Sequence, residues 1–208
     1  MLVFFIKYLY YNIFGDIMRT IKENSINEIV IKNSRFICYL FKINSPNIDD
    51  YINNIKIEHP KATHYCYGYK YLDIEHSSDD GEPSGTAGMP ILNVIKKEQL
   101  QNILIVVVRY FGGIKLGAGG LIRAYTKSVT EAIKNNSLCD LVDAYKILLS
   151  FSYEVEKDIS YILKDSIIID KSYLDIINFT CIVDYDVFKL LEKYSPTIIE
   201  KTYIEKLN

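Results

Sequence analysis

The spacing of hydrophobic residues changes abruptly in the middle of the chain, at a glycine-rich loop. Every residue from Ile103 to Val108 is apolar, which predicts a central strand covered on both faces. Beyond the loop, apolar residues recur at helical spacing: Leu121, Ile122, Tyr125, Val129, Ala132 and Ile133. We expect the first four of them to form the buried side of a helix. The pattern therefore predicts a strand, a glycine loop and a helix whose N-terminus lies beside the loop.

Shorter elements are predicted upstream of this unit. Residues 28–32 and 35–43 read as the two strands of a hairpin, with a turn at Asn33-Ser34. Ser45-Pro46 offers an N-cap and a first-turn proline for a helix that ends before His59-Pro60. The hairpin and the helix together indicate a mixed α+β domain.

A strand is also predicted over residues 62–71, where alternate positions are tyrosine. A row of tyrosines on one face could stack nucleic-acid bases. It is more often a half-buried face of a sheet, and we favour that interpretation because tyrosine is common throughout this chain.

Glycine is absent after Gly120, and the last third of the chain has a different order of elements. We place a domain boundary at residues 137–142, with an N-terminal domain over 18–138 and a C-terminal domain over 139–208. The C-terminal residue pattern predicts the order β-α-β-β-α-β, which is the ferredoxin-like arrangement. Its predicted segments are 144–153, 154–164, 166–170, 173–183, 185–194 and 197–205.

The first 17 residues are apolar and aromatic but are interrupted by Lys7. They are too short to span a bilayer comfortably, and they lack the basic start and cleavage site of a signal peptide. We interpret them as an extension that the domain starting at Met18 does not need, with a membrane-surface helix as the alternative. We expect no integral membrane insertion.

Composition limits the classes of function. The formal net charge is −2 and the mean hydropathy is +0.05, so nucleic-acid binding would have to come from a local patch. Four cysteines show no CxxC spacing, which favours reduced thiols in a cytoplasmic protein over a disulfide framework or a zinc site. We expect no metal and no cofactor.

The glycine loop is the first candidate site, because glycines and a helix N-terminus suit an anion. The P-loop and dinucleotide-binding patterns both fail here. Only four arginines occur in the chain, and Arg109 and Arg123 flank this loop. Their alternatives are a phosphate contact or an ion pair with a nearby acidic loop. The candidate phosphate- or nucleic-acid-binding residues are Arg109, Gly112, Gly113, Lys115, Gly117, Gly119, Gly120, Arg123 and Lys127.

An acidic loop at residues 76–88 is the second candidate site. Its carboxylates could hold a cation, or they could cap the next helix and bind loop N–H groups. A nucleophilic Cys66 paired with His64 lacks a third residue to orient it. The residues of unassigned role here are His64, Asp79, Asp80, Glu82, Ser84 and Thr86.

Two long segments resemble the signature blocks of the IMPACT/YigZ family: SSDDGEPSGTAGMPIL, starting at Ser77, and VRYFGGIKLGAGGLIRAYTKSV, starting at Val108. The resemblance is strong over residues 27–136. It implies an N-terminal domain like domain 2 of ribosomal protein S5, followed by a ferredoxin-like domain similar to the last domain of elongation factor G.

The same resemblance implies a role in translation, since the eukaryotic members act in translational control. We therefore expect a non-enzymatic RNA- or ribosome-associated protein, with a translation-control protein as a further partner. The alternative is a small-molecule hydrolase or phosphate-ester enzyme that uses the Asp79, Asp80 and Glu82 loop with His64.

Overall fold

The computed structural model describes residues 18–206, and the chain divides into two compact units between Asp140 and Leu141. The predicted extension over residues 1–17 lies outside the described residues. Both units contain helices and antiparallel strands, so the protein has a two-unit α+β fold.

The N-terminal unit is built on a sheet with the strand order β2-β3-β6-β4-β5, in which all neighbours are antiparallel. Its elements are β1 (Arg19–Ile21), β2 (Ser25–Ile31), β3 (Ser34–Lys42), α1 (Asp49–Glu58), β4 (His64–Tyr71), β5 (Ile74–Ser78), α2 (Gly88–Lys97), β6 (Ile103–Tyr110) and α3 (Ala118–Lys134).

Strand β6 lies at the centre of this sheet, and its first seven residues are buried. One sheet face packs against α2 and α3, where Phe36 and Tyr125 meet edge to face at 5.3 Å between ring centroids. The other face packs against α1 through residues that include Ile55 and Val106. The prediction of a central strand covered on both faces is therefore confirmed.

The tyrosine face of β4 belongs to the α1 side of the sheet. Tyr65, Tyr67, Tyr69 and Tyr71 are partly buried there, whereas Cys66 on the opposite face is fully buried. The half-buried interpretation is confirmed, and these rings do not form a free stacking ladder.

The C-terminal unit has the order β-α-β-β-α-β, as the residue pattern predicted. Its sheet order is β10-β7-β9-β8, and its core packs Phe151 against Phe179 at 5.0 Å between ring centroids. The elements are β7 (Leu138–Phe151), a 3-10 turn (Tyr153–Val155), α4 (Glu156–Ile162), β8 (Ile167–Tyr173), β9 (Ile177–Asp184), α5 (Tyr185–Leu191), a 3-10 turn (Glu192–Tyr194) and β10 (Thr197–Glu205).

The segment where we place the domain boundary, residues 137–142, lies almost entirely within a strand. Strand β7 begins at Leu138, and its first three residues pair with β1 at the far end of the sequence. Because that pairing partner is more than 100 residues away, the local pattern could not reveal it. Independent folding of the two predicted domains stays a prediction.

Helix α1 also begins later than predicted. Its N-cap position is Ile48, not Ser45, and the Asn47 side-chain oxygen accepts a hydrogen bond from the Asp49 N–H at 3.3 Å. Asn47, not Ser45, therefore binds a backbone N–H at the start of α1.

Candidate nucleic-acid interface

The acidic loop and the start of the glycine loop meet in a buried ion pair. Arg109 near the end of β6 is only 5% exposed, and its Nη1 lies 2.5 Å from Glu82 Oε1. The same oxygen accepts a hydrogen bond from the Tyr125 hydroxyl of α3 at 2.8 Å. The carboxylate of Glu82 therefore joins the acidic loop to both β6 and α3.

Cys66 lies on the buried side of this cluster. Its Sγ is 3.0 Å from the Asp79 carbonyl oxygen and 3.2 Å from the Tyr125 hydroxyl. Burial raises the pKa of the Cys66 thiol, and the neighbouring carboxylates act in the same direction. Burial likewise raises the pKa of Tyr125, supported by Cys66 and Glu82. Both groups keep their protons at neutral pH, so Cys66 is a poor nucleophile.

Asp79 fixes the start of α2. Its carboxylate accepts hydrogen bonds from the N–H groups of Gly85, Ala87 and Gly88 at 2.7, 2.9 and 2.8 Å. Burial would raise the pKa of Asp79, but these three bonds outweigh it and leave the pKa below its usual value. Asp79 therefore performs the capping role that the acidic pattern allowed.

His64 and Asp80 also serve the loop. The Asp80 carboxylate accepts from the Tyr65 N–H at 2.7 Å, and the Asp80 carbonyl lies 2.8 Å from His64 Nδ1. Because a carbonyl can only accept, the neutral His64 ring carries its proton on Nδ1. His64 Nε2 is then 3.9 Å from Glu82 Oε2, too far for a hydrogen bond.

The two hydroxyl residues that follow Pro83 in the acidic loop differ in burial. Thr86 is buried and donates from Oγ1 to the Pro83 carbonyl at 2.6 Å, whereas Ser84 is exposed. Within residues 18–206, no group of three or more His, Cys, Asp or Glu side chains is arranged to hold a metal ion. The geometry of the acidic loop thus favours the interpretation that its carboxylates stabilise the fold.

The glycines beyond β6 differ in what they do. Gly112 packs against the β2–β3 turn so closely that a Cβ there would lie 2.0 Å from the Asn33 carbonyl carbon. Gly113 and Gly117 have φ values of 83° and 70°, a region that favours glycine, and neither has a neighbour at its Cβ position. The first glycine is therefore required by packing, and the next two by backbone conformation.

The first backbone N–H groups of helix α3 have no capping side chain from the N-cap residue. Its N-cap is Gly117, which has no side chain to cap the helix, and its first turn contains no acidic residue. The first intrahelical bond runs from the Leu121 N–H to the Gly117 carbonyl at 2.9 Å. The N–H groups of Ala118, Gly119 and Gly120 precede that bond, so they lack the i−4 carbonyl partner.

Three exposed cations lie near this turn in the chain, and we call them the basic face: Lys115, Arg123 and Lys127. A Cβ on Gly119 would lie 3.5 Å from Arg123 Nη1, so the Arg123 guanidinium extends back over the first turn of α3. Lys127 follows Arg123 by one helical turn. Among the described residues, none of these three cations forms an ion pair with a carboxylate.

Three of the four arginines of the chain form ion pairs with glutamates. Arg19, Arg35 and Arg109 pair with Glu98, Glu28 and Glu82 respectively, and Arg123 pairs with no carboxylate of residues 18–206. Of the two alternatives for Arg109, a phosphate contact or an ion pair with the acidic loop, the geometry favours the ion pair. The Arg109 guanidinium is buried against Glu82, which is the ion-pair alternative.

Sequence reasoning also misplaced or missed some residues of this region. Ile122 was expected to be buried, but it is 41% exposed, because it faces away from the side of α3 that carries Leu121 and Tyr125. Phe111 was not selected, although it is 47% exposed and directly follows β6. A large aromatic residue between a strand and a glycine loop is the signal that would have found it.

No helix within residues 18–206 has both the length and the apolar character needed to cross a bilayer.

The family match lies within the N-terminal unit. Residues 32–133 match the family described as the Impact N-terminal domain. The IMPACT family member YvyE of Bacillus subtilis is 52% identical over 120 residues, which are 56% of this chain and 55% of that protein. YigZ of Escherichia coli is 40% identical over 110 residues, which are 50% of this chain and 54% of YigZ. The matched segment thus spans about half the length of these relatives.

A solved structure is similar over both units. A crystal structure of a hypothetical protein aligns with a TM-score of 0.67 and 27% sequence identity, and covers 87% of this chain and 95% of that chain. The two-unit α+β fold therefore has a counterpart among solved structures.

Proposed function

Since the chain belongs to the IMPACT family through its N-terminal domain, we propose that it is a non-enzymatic, cytoplasmic RNA- or ribosome-associated protein with a role in translational regulation. A translation-control protein is a further partner in this proposal. The translational role is what the resemblance to the family implies. The manner of binding is inferred from the basic face.

The observation that carries the proposal is the unpaired state of Arg123 beside the open N-terminus of α3. The positive end of a helix dipole and its free N–H groups form a good environment for an anion. A guanidinium adds a planar donor that matches the oxygen atoms of a phosphate. Lys115 and Lys127 extend the same positive charge along the loop and the helix.

Phe111 adds a feature that suits RNA more than a free phosphate ion. Phe111 is 47% exposed and begins the glycine loop, in which Lys115 also lies. Exposed aromatic rings beside positive charge bind single-stranded nucleic acid, because bases stack on the ring while cations hold the backbone. The basic face therefore fits an unpaired RNA segment.

The architecture is part of the proposal. We assign the N-terminal unit to the ribosomal protein S5 domain 2-like fold and the C-terminal unit to the ferredoxin-like fold related to the last domain of elongation factor G. The β-α-β-β-α-β order and the sheet order β10-β7-β9-β8 support the second assignment.

The test is a triple variant, Lys115→Ala, Arg123→Ala and Lys127→Ala, compared with the parent in binding to single-stranded RNA and in co-sedimentation with ribosomes. Both measurements are made across a salt series. Binding should weaken, and the log-log salt slope should fall by roughly 0.7 for each lost phosphate contact. The melting temperature should stay close to that of the parent, because exposed charges contribute little to folding.

A matched control removes the same charge elsewhere on the unit. Lys22, Lys61 and Lys97 are exposed, form no ion pair among the described residues and lie outside the glycine loop. Their triple alanine variant should bind as the parent does. Equal binding by both triple variants and the parent, with one salt slope, would show that the basic face does not contact RNA.

A further inference from the structure

A cavity of about 330 Å³ lies on the α1 side of the N-terminal sheet, on the opposite sheet face from α3. It is bounded by β2, β3 and α1 and is within the size range of small-ligand sites. Its lining includes Ile26, Tyr39, Phe41, Tyr51, Asn54 and Glu58.

The wall of this cavity is aromatic. Tyr39 and Phe41 on β3 are nearly parallel, with ring centroids 5.8 Å apart and an interplanar angle of 15°. Tyr51 of α1 closes the wall at 5.1 Å from Phe41. Tyr39 itself is buried, so the partly exposed rings of Phe41 and Tyr51 are the ones that a cation can reach. Aromatic faces carry negative charge density and therefore attract cations.

Glu58 is the only charged residue among the described residues that line the cavity. Its side chain is 57% exposed, and its Oε1 accepts a hydrogen bond from the Tyr39 hydroxyl at 2.9 Å. Glu58 Oε2 has no such bond among residues 18–206. One carboxylate oxygen is therefore held in place while the other stays available to a ligand.

A chain of hydrogen bonds behind the cavity fixes this arrangement. Tyr39 Oη lies 2.5 Å from His59 Nε2, and His59 Nδ1 lies 3.0 Å from the Tyr110 hydroxyl. Because the single Tyr39 proton goes to Glu58, a neutral His59 ring donates from Nε2, and its Nδ1 then accepts from Tyr110. Burial, followed by the contact with Glu58, raises the pKa of Tyr39, which keeps the phenol a donor at neutral pH.

We propose that this cavity binds the guanidinium group of an arginine side chain presented by a partner polypeptide. A guanidinium is planar, permanently charged and weakly hydrated, so it stacks on aromatic rings and donates to a carboxylate at the same time. Asn54 provides a further polar group on α1 at the rim. A lysine ammonium is strongly hydrated and fits an aromatic wall less well.

The lining also favours a peptide over free arginine. The described lining residues include no cation that would hold the α-carboxylate of a free amino acid. An arginine within a polypeptide has neutral amide groups at that position, so only its side chain needs recognition. The site uses none of the basic-face residues, and its failure would leave the proposed function unaffected.

The test is an NMR titration of the full isotope-labelled chain with the blocked tripeptide acetyl-Gly-Arg-Gly-amide. Two control peptides replace arginine with citrulline, its neutral near-isostere, or with lysine. We expect the arginine peptide to shift resonances of β2, β3 and α1, and the citrulline peptide to bind at least tenfold more weakly. Glu58→Gln should lose at least tenfold in affinity for the arginine peptide.

Matched variants separate this site from general electrostatics. Glu131→Gln on α3 removes the same charge and should bind as the parent does. The Lys115, Arg123 and Lys127 triple variant should also keep its affinity. Equal binding of citrulline and arginine peptides, unchanged affinity in Glu58→Gln, tighter binding of free arginine than of the peptide, or shifts confined to residues outside β2, β3 and α1 would each overturn the proposal.

Discussion

The two sides of the glycine loop place similar residues in opposite environments. On the inward side, Arg109 is 5% exposed and ion-paired with Glu82 beneath the acidic loop. On the outward side, Arg123 is exposed and forms no carboxylate pair among the described residues. Two arginines fourteen positions apart in the sequence therefore have different roles. Burial and pairing, not proximity to the loop in sequence, separate the structural arginine from the one available to a ligand.

The largest expected effect comes from breaking the Arg109–Glu82 ion pair on the inward side of the loop. Arg109→Ala leaves the Glu82 carboxylate buried without its cation and should lower the free energy of unfolding by ~3–5 kcal/mol. The matched change on the outward side, Arg123→Ala, should stay within ~0.5 kcal/mol of the parent. Urea unfolding of both variants measures the difference.

A second arm tests whether the loss comes from the unpaired charge. The double variant Arg109→Met with Glu82→Leu removes both partners, so it should lose less stability than the two single changes added together. Equal unfolding free energies for Arg109→Ala and Arg123→Ala would contradict the division between the two sides of the loop.

A smaller effect is expected at the glycines. A Cβ on Gly112 would lie 2.0 Å from the Asn33 carbonyl carbon, so Gly112→Ala forces the β2–β3 turn to move. Overpacking of this kind costs ~1–3 kcal/mol. On the outward side, the nearest atom to a Cβ on Gly119 is the flexible Arg123 Nη1 at 3.5 Å. Gly119→Ala should therefore leave the melting temperature unchanged or raise it, and a loss equal to that of Gly112→Ala would refute this distinction.

The smallest expected effect is the pH dependence that comes from Asp79. Since the folded-state pKa of Asp79 is lowered, its contribution is fully present above the unfolded value of about 3.9 and is lost as the pH falls through the folded value. Asp79→Asn should therefore be less stable than the parent at pH 7 by ~1 kcal/mol, a typical helix-capping effect.

The gap in unfolding free energy between the parent and Asp79→Asn should stay constant from about pH 5 to about pH 4 and narrow at lower pH, as measured by urea unfolding at each pH. Asp73→Asn changes an exposed aspartate of the β4–β5 turn and should show no such trend. A gap that stays constant below about pH 4 as well would mean that charge on Asp79 does not stabilise α2.

Much of the fold followed from local patterns because those patterns report burial directly. The unbroken apolar run at residues 103–108 is central in the sheet, and the alternation in β4 places its tyrosines on one half-buried face. The predicted strand at 197–205 has the same bounds as β10. Period and composition sufficed in these cases, since each element's burial is set mainly by its own side chains.

Other features depended on partners far away in sequence. The segment at 137–142 is predicted as a domain boundary, but Leu138–Asp140 pair with β1 and form the start of a strand. Ile122 fitted the helical apolar pattern, yet it is exposed because the buried side of α3 is defined by Leu121, Tyr125 and Val129.

The sequence by itself determined which residues could form the candidate site: a glycine loop, a helix N-terminus, an acidic loop and two flanking arginines. It also raised both roles for those arginines. Only the tertiary structure decided between them, because an ion pair between residues 82 and 109 depends on bringing the acidic loop against the end of β6 in a water-poor interior. A charge buried in that environment needs a partner. The guanidinium of Arg123 remains in water instead, where it can bind an anion.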